Sequence, residues 1–427
     1  MHYRVQPSVL HGTMVIPPSK SHTLRAILFA SLATGTSTIR NYLCSPDTAA
    51  MITACRYLGA SILEEERVLH IQGCAGKPKT PEQVIDAGNS GQVLRFIAAI
   101  AALTEGYTIL TGDPSIRTNR PMQPLLDGLR QLQVFAVSAH DNGFAPIIIK
   151  GPLQGGVVTV NGEDSQPISG LLMAAAFAQH PTVLHVVQPG EQPWIDVTLN
   201  WFDRLGIGYH RKGYTHYEVS GNAQYAGFDY TVPGDFSSCA FPVVAALITH
   251  ADLELHHIDL QDAQGDKALL FVLQQMGAQL QFDSEKKILA VKPSKFMKGR
   301  LIDVNDFIDA VPILAVMACF VAGETVITGA AIARKKESDR LSVITQELRK
   351  MGADIIEYDD GLRIRPAILR GAKVMSADDH RIAMALAVAG LRAHGKTIVE
   401  HVACVDKSYP NFAKSFCDVG ASIEIDT

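Results

Sequence analysis

The chain has 427 residues, 47% of them hydrophobic and 19% charged. That is a soluble globular composition, too long for one simple core, and two domains are expected. A net charge of −5 argues against a general nucleic-acid binder, which shows a basic domain. The seven cysteines (44, 55, 74, 239, 319, 404 and 417) form no C-x-x-C pair and no Cys/His metal spacing. They read as reduced core thiols of a cytoplasmic protein. Met1 to Val5 carries no apolar leader core, and the longest apolar run, Ile313 to Gly323, is too short to span a bilayer.

From the N-terminus, the first element to expect is a helix opened by Pro17-Pro18-Ser19-Lys20-Ser21, with Arg25 about a turn further on. Hydroxyls, a lysine and the positive end of the helix dipole favour an anion there. An ordinary serine cap with solvated cations fits the same residues. Gly88-Asn89-Ser90-Gly91 is a glycine-rich turn before the apolar run Phe96 to Leu103, without the Gly-Lys-Ser/Thr of a nucleotide-binding loop. Arg120 stands before a helical pattern from Met122 to Leu132, where a guanidinium can clamp a phosphate or carboxylate. Asp164-Ser165-Gln166 leads into the helical run Ile168 to Phe177. Asp306 and Asp309 precede another apolar run, and one of these carboxylates can serve as a base.

The last third holds the densest clusters. Arg334 to Arg340 reads Arg-Lys-Lys-Glu-Ser-Asp-Arg, and Asp378-Asp379-His380-Arg381 follows. Lys336 and Arg340, four apart, would share one helix face with Glu337 beside them. Lys407 falls in a loop before the final helix. Anion-friendly side chains thus recur where a strand or loop enters a helix, as a substrate with several negative charges requires.

One phrase repeats along the chain: Leu58-Gly59-Ala60, a degenerate Leu132-Gln133-Val134, Leu205-Gly206-Ile207, Met276-Gly277-Ala278, Met351-Gly352-Ala353 and Val419-Gly420-Ala421. The middle positions are 74, 73, 71, 75 and 68 residues apart. Each phrase follows an amphipathic helical run and precedes a β-like segment, so its glycine suits a helix C-cap with positive φ. Six units of about 70 residues follow from this spacing. They divide three and three at a seam near Val232-Pro233-Gly234, which gives two lobes with a cleft between them.

With these motifs in order, the chain resembles the enolpyruvyl transferases over essentially its whole length, in the branch acting on shikimate 3-phosphate. The matching stretches are Pro18-Ser19-Lys20-Ser21 with Arg25, Gly88-Asn89-Ser90-Gly91, Arg120-Pro121-Met122, Ser165-Gln166, Lys336 to Arg340, Asp379-His380-Arg381 and Lys407-Ser408-Tyr409-Pro410. The sister branch acting on UDP-N-acetylglucosamine carries a different set. The resemblance implies a two-lobed inside-out α/β barrel of six βαβαββ units, three per lobe. It implies one lobe at 19–233 and another at 1–18 plus 234–427, with the active site in the cleft. It also implies transfer of the enolpyruvyl group of phosphoenolpyruvate to the 5-hydroxyl of shikimate 3-phosphate. The partners are then two small molecules, with no cofactor, metal, nucleic acid or membrane, and the protein a cytoplasmic monomer.

By the same resemblance, Lys20, Gly91, Arg120, Gln166 and Lys407 would hold the phosphate of phosphoenolpyruvate, and Arg340 and Arg381 its carboxylate. Ser21 and Arg25 would meet the shikimate carboxylate, and Asp309 and Lys336 its ring hydroxyls. Asp164, Ser165, Gln166 and Glu191 would line the acceptor-phosphate pocket, with Lys20 close. Glu337 and Asp309 would move protons, with Lys20 and His380 near. The chain departs from the family at Asp164 and Glu191, where serines serve the acceptor phosphate, and at Gln92, Trp194 and Ile332. Two carboxylates facing a phosphate repel it unless screened or turned away. An altered but working pocket is the expected outcome. The alternatives are a different, possibly unphosphorylated acceptor and a non-catalytic protein that binds anionic metabolites.

Overall fold

The computed structural model describes residues 1–426. The chain divides into two compact units, Lys20–Val232 and Met1–Ser19 with Pro233–Thr427. Each contains three copies of one motif: strand, buried helix, strand, outer helix and a two-strand hairpin.

The copy that starts at Ile85–Asp86 shows the construction. Its buried helix is Gly91–Ala101, its second strand Thr108–Thr111, its outer helix Gln123–Gln131, and its hairpin Phe135–Ser138 with Ile147–Lys150. The first two strands are parallel, with Ile85 opposite Leu110, and the hairpin joins antiparallel. Parallel neighbours need a crossover, and the helix is that crossover. Every sheet has the same strand order within its copy: first, second, fourth, third.

Three copies are completed by chain segments that arrive from elsewhere; the fourth takes His11–Val15, parallel to Asp252–His256, as its first strand. In the Lys20–Val232 unit, the strand Asp229–Thr231 pairs in parallel with Thr36–Arg40 and stands first in the sheet of the first copy. In the other unit, His2–Gln6 lies between Thr397–Glu400 and Ser422–Asp426, antiparallel to both, and supplies the last strand of the sixth copy.

Composition explains which helices go inside. Phe236–Thr249, Val311–Ala318 and His380–Gly390 are buried along their whole length. Such helices, buried on every side and apolar beyond any polar first turn, belong in a core. The strands alternate buried and open residues, as in His2–Gln6, so each sheet covers the helices with one face. The expected six-copy α/β fold is therefore found with helices inside and sheets outside. Each sheet remains open with four strands, and none closes into a barrel among the described residues.

The repeated glycines sit where the chain must turn left-handed. Gly59, Gly206, Gly277, Gly352 and Gly420 have φ of 105°, 68°, 109°, 95° and 101°. The degenerate copy keeps the same turn without glycine, at Gln133 with φ 63°. The cysteines are free, but only Cys55, Cys239 and Cys319 are buried, while Cys44 and Cys417 are exposed. No described helix is long and apolar enough to cross a membrane.

Candidate active site

The candidate residues cluster near the N-terminal ends of helices, both buried and outer, and each unit carries its own set. In the Lys20–Val232 unit, Lys20 opens the helix Lys20–Leu32, and its Nζ lies 3.3 Å from Asp47 Oδ2. Asp47 is buried and also accepts from the hydroxyl of Ser90, the cap of Gly91–Ala101. Gln92 Nε2 donates to Ser21 Oγ at 3.0 Å, tying the first two helix ends together. Arg95 Nη1 donates to Gln166 Oε1 at 2.9 Å, tying the second to the third.

Gly91 stands at the crowded centre of this set. A Cβ there would come within 2.8 Å of Arg95 Nη1, 3.3 Å of Arg120 Nη1 and 3.5 Å of Gln166 Oε1. A side chain there would have to displace the Arg95 guanidinium, while the backbone at Gly91 is not left-handed and makes no demand of its own for glycine. The same distances place Arg120 and Gln166 beside the Gly91 turn.

Arg25 is 1% exposed. Its guanidinium donates to Thr198 Oγ1 at 3.0 Å and to the carbonyls of Ser21 and Trp194 at 3.3 Å each, and it lies 4.9 Å from the centre of the Phe96 ring. Burial pushes its pKa down to about 9. A buried guanidinium bonded to two carbonyls and a hydroxyl, with no carboxylate among its described partners, is suited to an anionic ligand.

The two carboxylates that depart from the family are both engaged. Asp164 caps the helix Ser165–Ala175 by accepting from Gln166 N at 2.9 Å, and it lies 3.2 Å from Arg95 Nη2. Glu191, 2% exposed, accepts from Ser165 N at 3.2 Å and from Ser165 Oγ at 3.3 Å. Its backbone is left-handed, with φ 46°.

In the other unit, Arg340 is the hub. It is 1% exposed and donates to Asp309 Oδ1 and Glu337 Oε2 at 2.7 Å each and to Asp379 Oδ2 at 2.8 Å. Arg381 Nη2 reaches the other oxygen of Asp309 at 2.8 Å, and Lys407 Nζ reaches Glu337 Oε1 at 2.7 Å. Each of these two carboxylates is thus held between two cations. The Nε and Nη1 of Arg381 are buried without a hydrogen-bond partner among the described residues, so this side chain has donors to give an anion. Burial raises the Asp309 carboxyl, but Arg381, then Arg340 and Lys336, outweigh it and hold the group well below the usual carboxylate range. Asp309 is ionised at neutral pH.

Lys336 and Glu337 do not share a helix with Arg340. The helix Arg340–Lys350 begins only at Arg340, because Asp339 takes the cap position and accepts from Ser342 N at 3.1 Å. Lys336 and Glu337 come in the preceding bend. His380 opens the helix His380–Gly390, capped by Asp379, and is buried 3.7 Å from an Asp379 oxygen. Glu337, Asp379 and His380 have possible ligand atoms within 4.8 Å of one another. They do not fit a metal, because Arg340 and Lys407 already pair with the carboxylates.

Four residues of this network had no role in the sequence reading: Asp47, Arg95, Thr198 and Asp266. Arg95 was the legible one, since it follows Gly91 by four residues as Arg25 follows Ser21. Asp266, fully buried, accepts from the hydroxyl of Ser237, while its Oδ1 has no partner among the described residues. Burial and then the charge of Asp309 push its carboxyl up to about 7, against the opposing pull of Arg381.

Comparison with known proteins gives the same answer at every level. The model of the family described as EPSP synthase (3-phosphoshikimate 1-carboxyvinyltransferase) matches residues 5–416. A 3-phosphoshikimate 1-carboxyvinyltransferase of Ruminiclostridium cellulolyticum is 41% identical over 425 residues, all of both chains. One from Chlamydia pneumoniae is 43% identical over 424 residues, covering 99% of this chain and 94% of that protein. The 2.37 Å structure of EPSP synthase from Acinetobacter baumannii superposes with a TM-score of 0.83 at 28% identity, over all of both chains. The repeats, the sheet order and these matches agree that the chain belongs to the EPSP synthase family.

Proposed function

We propose that this chain transfers the enolpyruvyl group of phosphoenolpyruvate to the 5-hydroxyl of shikimate 3-phosphate. The 5-oxygen adds to C2 of phosphoenolpyruvate while C3 gains a proton. The resulting ketal phosphate then loses a C3 proton and inorganic phosphate, which restores the double bond. One observation carries the reading: the Asp309 carboxylate lies between Arg340 and Arg381, and the remaining donors of Arg381 have no partner among the described residues. A carboxylate beside an anion clamp places a proton acceptor next to bound phosphoenolpyruvate, as the first step needs.

In this reading Asp309 takes the 5-hydroxyl proton and meets the acceptor ring with Lys336. Glu337, between Arg340 and Lys407, exchanges the C3 proton, with Lys20 and His380 supporting. Arg381 takes the carboxylate of phosphoenolpyruvate. Arg340 joins it once Asp309 or Glu337 gives up a bond, since all three guanidinium nitrogens are engaged. Lys20, Gly91, Arg120, Gln166 and Lys407 bind the transferred phosphate, and Ser21 and Arg25 the acceptor carboxylate. The dense cation set stabilises charge on the departing phosphate.

The test is release of inorganic phosphate from phosphoenolpyruvate with shikimate 3-phosphate present, in the wild type and in Glu337→Gln. Wild-type release, with kcat in the variant lower by about 100- to 10,000-fold, is the expected result. Release that persists undiminished in the variant removes Glu337 from the proton path. No release from the wild type with any shikimate acceptor overturns the reading.

A further inference from the structure

The N-termini of the three buried helices in the Lys20–Val232 unit are not equivalent. Lys20 stands at the first, and Arg95 and Arg120 crowd the second at Gly91. The third, at Ser165–Ala175, is closed by the protein's own acids: Glu191 takes Ser165 N and Oγ, and Asp164 takes Gln166 N. A helix N-terminus is a natural anion seat, and here a buried carboxylate already sits in it. The arrangement is held against backbone preference, since Glu191 is left-handed at φ 46°, a conformation unfavourable for a non-glycine residue.

This seat adjoins Arg25. The Arg25 guanidinium donates to the Trp194 carbonyl, in the first turn of the helix Gln192–Leu205 that Glu191 precedes, and Trp194 N donates to the Glu191 carbonyl at 3.0 Å. In the transfer reading, an acceptor held by its carboxylate on Arg25 would lie next to the helix turn that Glu191 opens. Like charges at that range repel strongly in a buried site.

We propose that Glu191 is the acceptor-specificity residue of this chain: its carboxylate occupies the seat that a second anionic group of the acceptor needs, and competes with it. The inference rests on the enolpyruvyl-transfer reading above. A phosphorylated acceptor gains its seat only by displacing Glu191 from Ser165, whereas a neutral hydroxyl at the same position meets no such competitor.

The experiment is steady-state kinetics of the wild type and Glu191→Gln with shikimate 3-phosphate, together with calorimetric titration of the wild type with shikimate 3-phosphate and with shikimate. The expected result is a KM for shikimate 3-phosphate at least tenfold lower in Glu191→Gln, with the KM for phosphoenolpyruvate moved less than about twofold. An unchanged or raised acceptor KM overturns the proposal, because Glu191 then orients Ser165 for the phosphate. Should the variant not fold, the wild-type titration decides. Comparable affinities for the two acceptors support competition, and a hundredfold preference for the phosphorylated one overturns it. Absence of turnover from the wild type with either acceptor defeats the transfer reading, while the titration still decides the role of Glu191.

Discussion

Asp266 and Asp309 are the same residue type in one neighbourhood with opposite pKa shifts. Asp309 is bonded to Arg340 and Arg381, while Asp266 has a serine hydroxyl and one oxygen without a partner among the described residues. Desolvation wins at Asp266, which is lifted to about 7, and cations win at Asp309. An aspartate in the unfolded chain titrates near 3.9. Between about pH 4 and 7 the unfolded state has lost a proton that folded Asp266 keeps, so this group makes stability fall as pH rises through that window. Asp266→Asn is neutral at every pH and should remove that slope. Urea denaturation at a series of pH values should show the variant gaining on the wild type from pH 4 to 7, by up to about 1.4 kcal/mol per pH unit, then levelling off. Parallel curves would show that Asp266 is not protonated in the fold. Sequence alone could not reveal this pair, since neither partner set is local: Asp47 meets Lys20 and Ser90 in the same long-range way. The motif residues were legible because each sits at a helix start, where chemistry and capping leave marks within a few positions.

At the scale of the element, the repeated helix–turn–strand phrase was readable because five of its six copies have glycine where φ is positive. The sixth shows that the turn, not the glycine, is the shared geometry: Gln133 adopts φ 63° and is exposed. Left-handed backbone costs such a residue about 1–2 kcal/mol, against about 0.5–1 kcal/mol of extra chain entropy for glycine. Gln133→Gly should therefore stabilise the protein by roughly 0.5–1 kcal/mol, read as a rise in the urea midpoint at unchanged m. A lowered midpoint would mean that the Gln133 side chain contributes contacts worth more than the strain. The reading of Lys336 and Arg340 as one helical face failed for an element-scale reason: the Asp339 cap starts the helix only after Lys336 and Glu337 have passed. Spacing of four suggests a shared face only once the helix start is known.

For the whole molecule, the order of copies along the chain is not their order in space. His2 pairs with Asp426, so the two ends of the chain already form the fourth-and-third strand hairpin that the other copies close with a short turn. A circular permutant that joins the ends through a short glycine-containing turn should fold and keep its enolpyruvyl-transfer rate, with new ends at the exposed Glu285-Lys286 turn between Gln279–Asp283 and Ile288–Lys292. Deleting residues 1–6 should instead leave Thr397–Glu400 and Ser422–Asp426 without the strand between them and yield insoluble protein. Soluble, active protein from the deletion would show that this strand is dispensable. Hydropathy and spacing revealed six copies, but not which distant strand finishes the first, the fourth and the sixth, because a strand of three to five residues carries no label for its partner.

The same strand gives the protein a schedule during synthesis. His2–Gln6 leaves the ribosome before the other described strands, and its neighbour Ser422–Asp426 leaves after them. At roughly 5–20 residues per second, the opening strand waits on the order of 20–80 seconds for its place. Lys20–Val232 has all its strands long before then. Ribosome-bound chains halted near residue 300 should hold a protease-resistant fragment spanning 20–232 and a cleavable N-terminal segment, and uniform digestion would contradict this order. Nascent protein thus carries an unpaired β-edge ahead of its first folded unit, a segment for chaperones to shield until its late partner emerges.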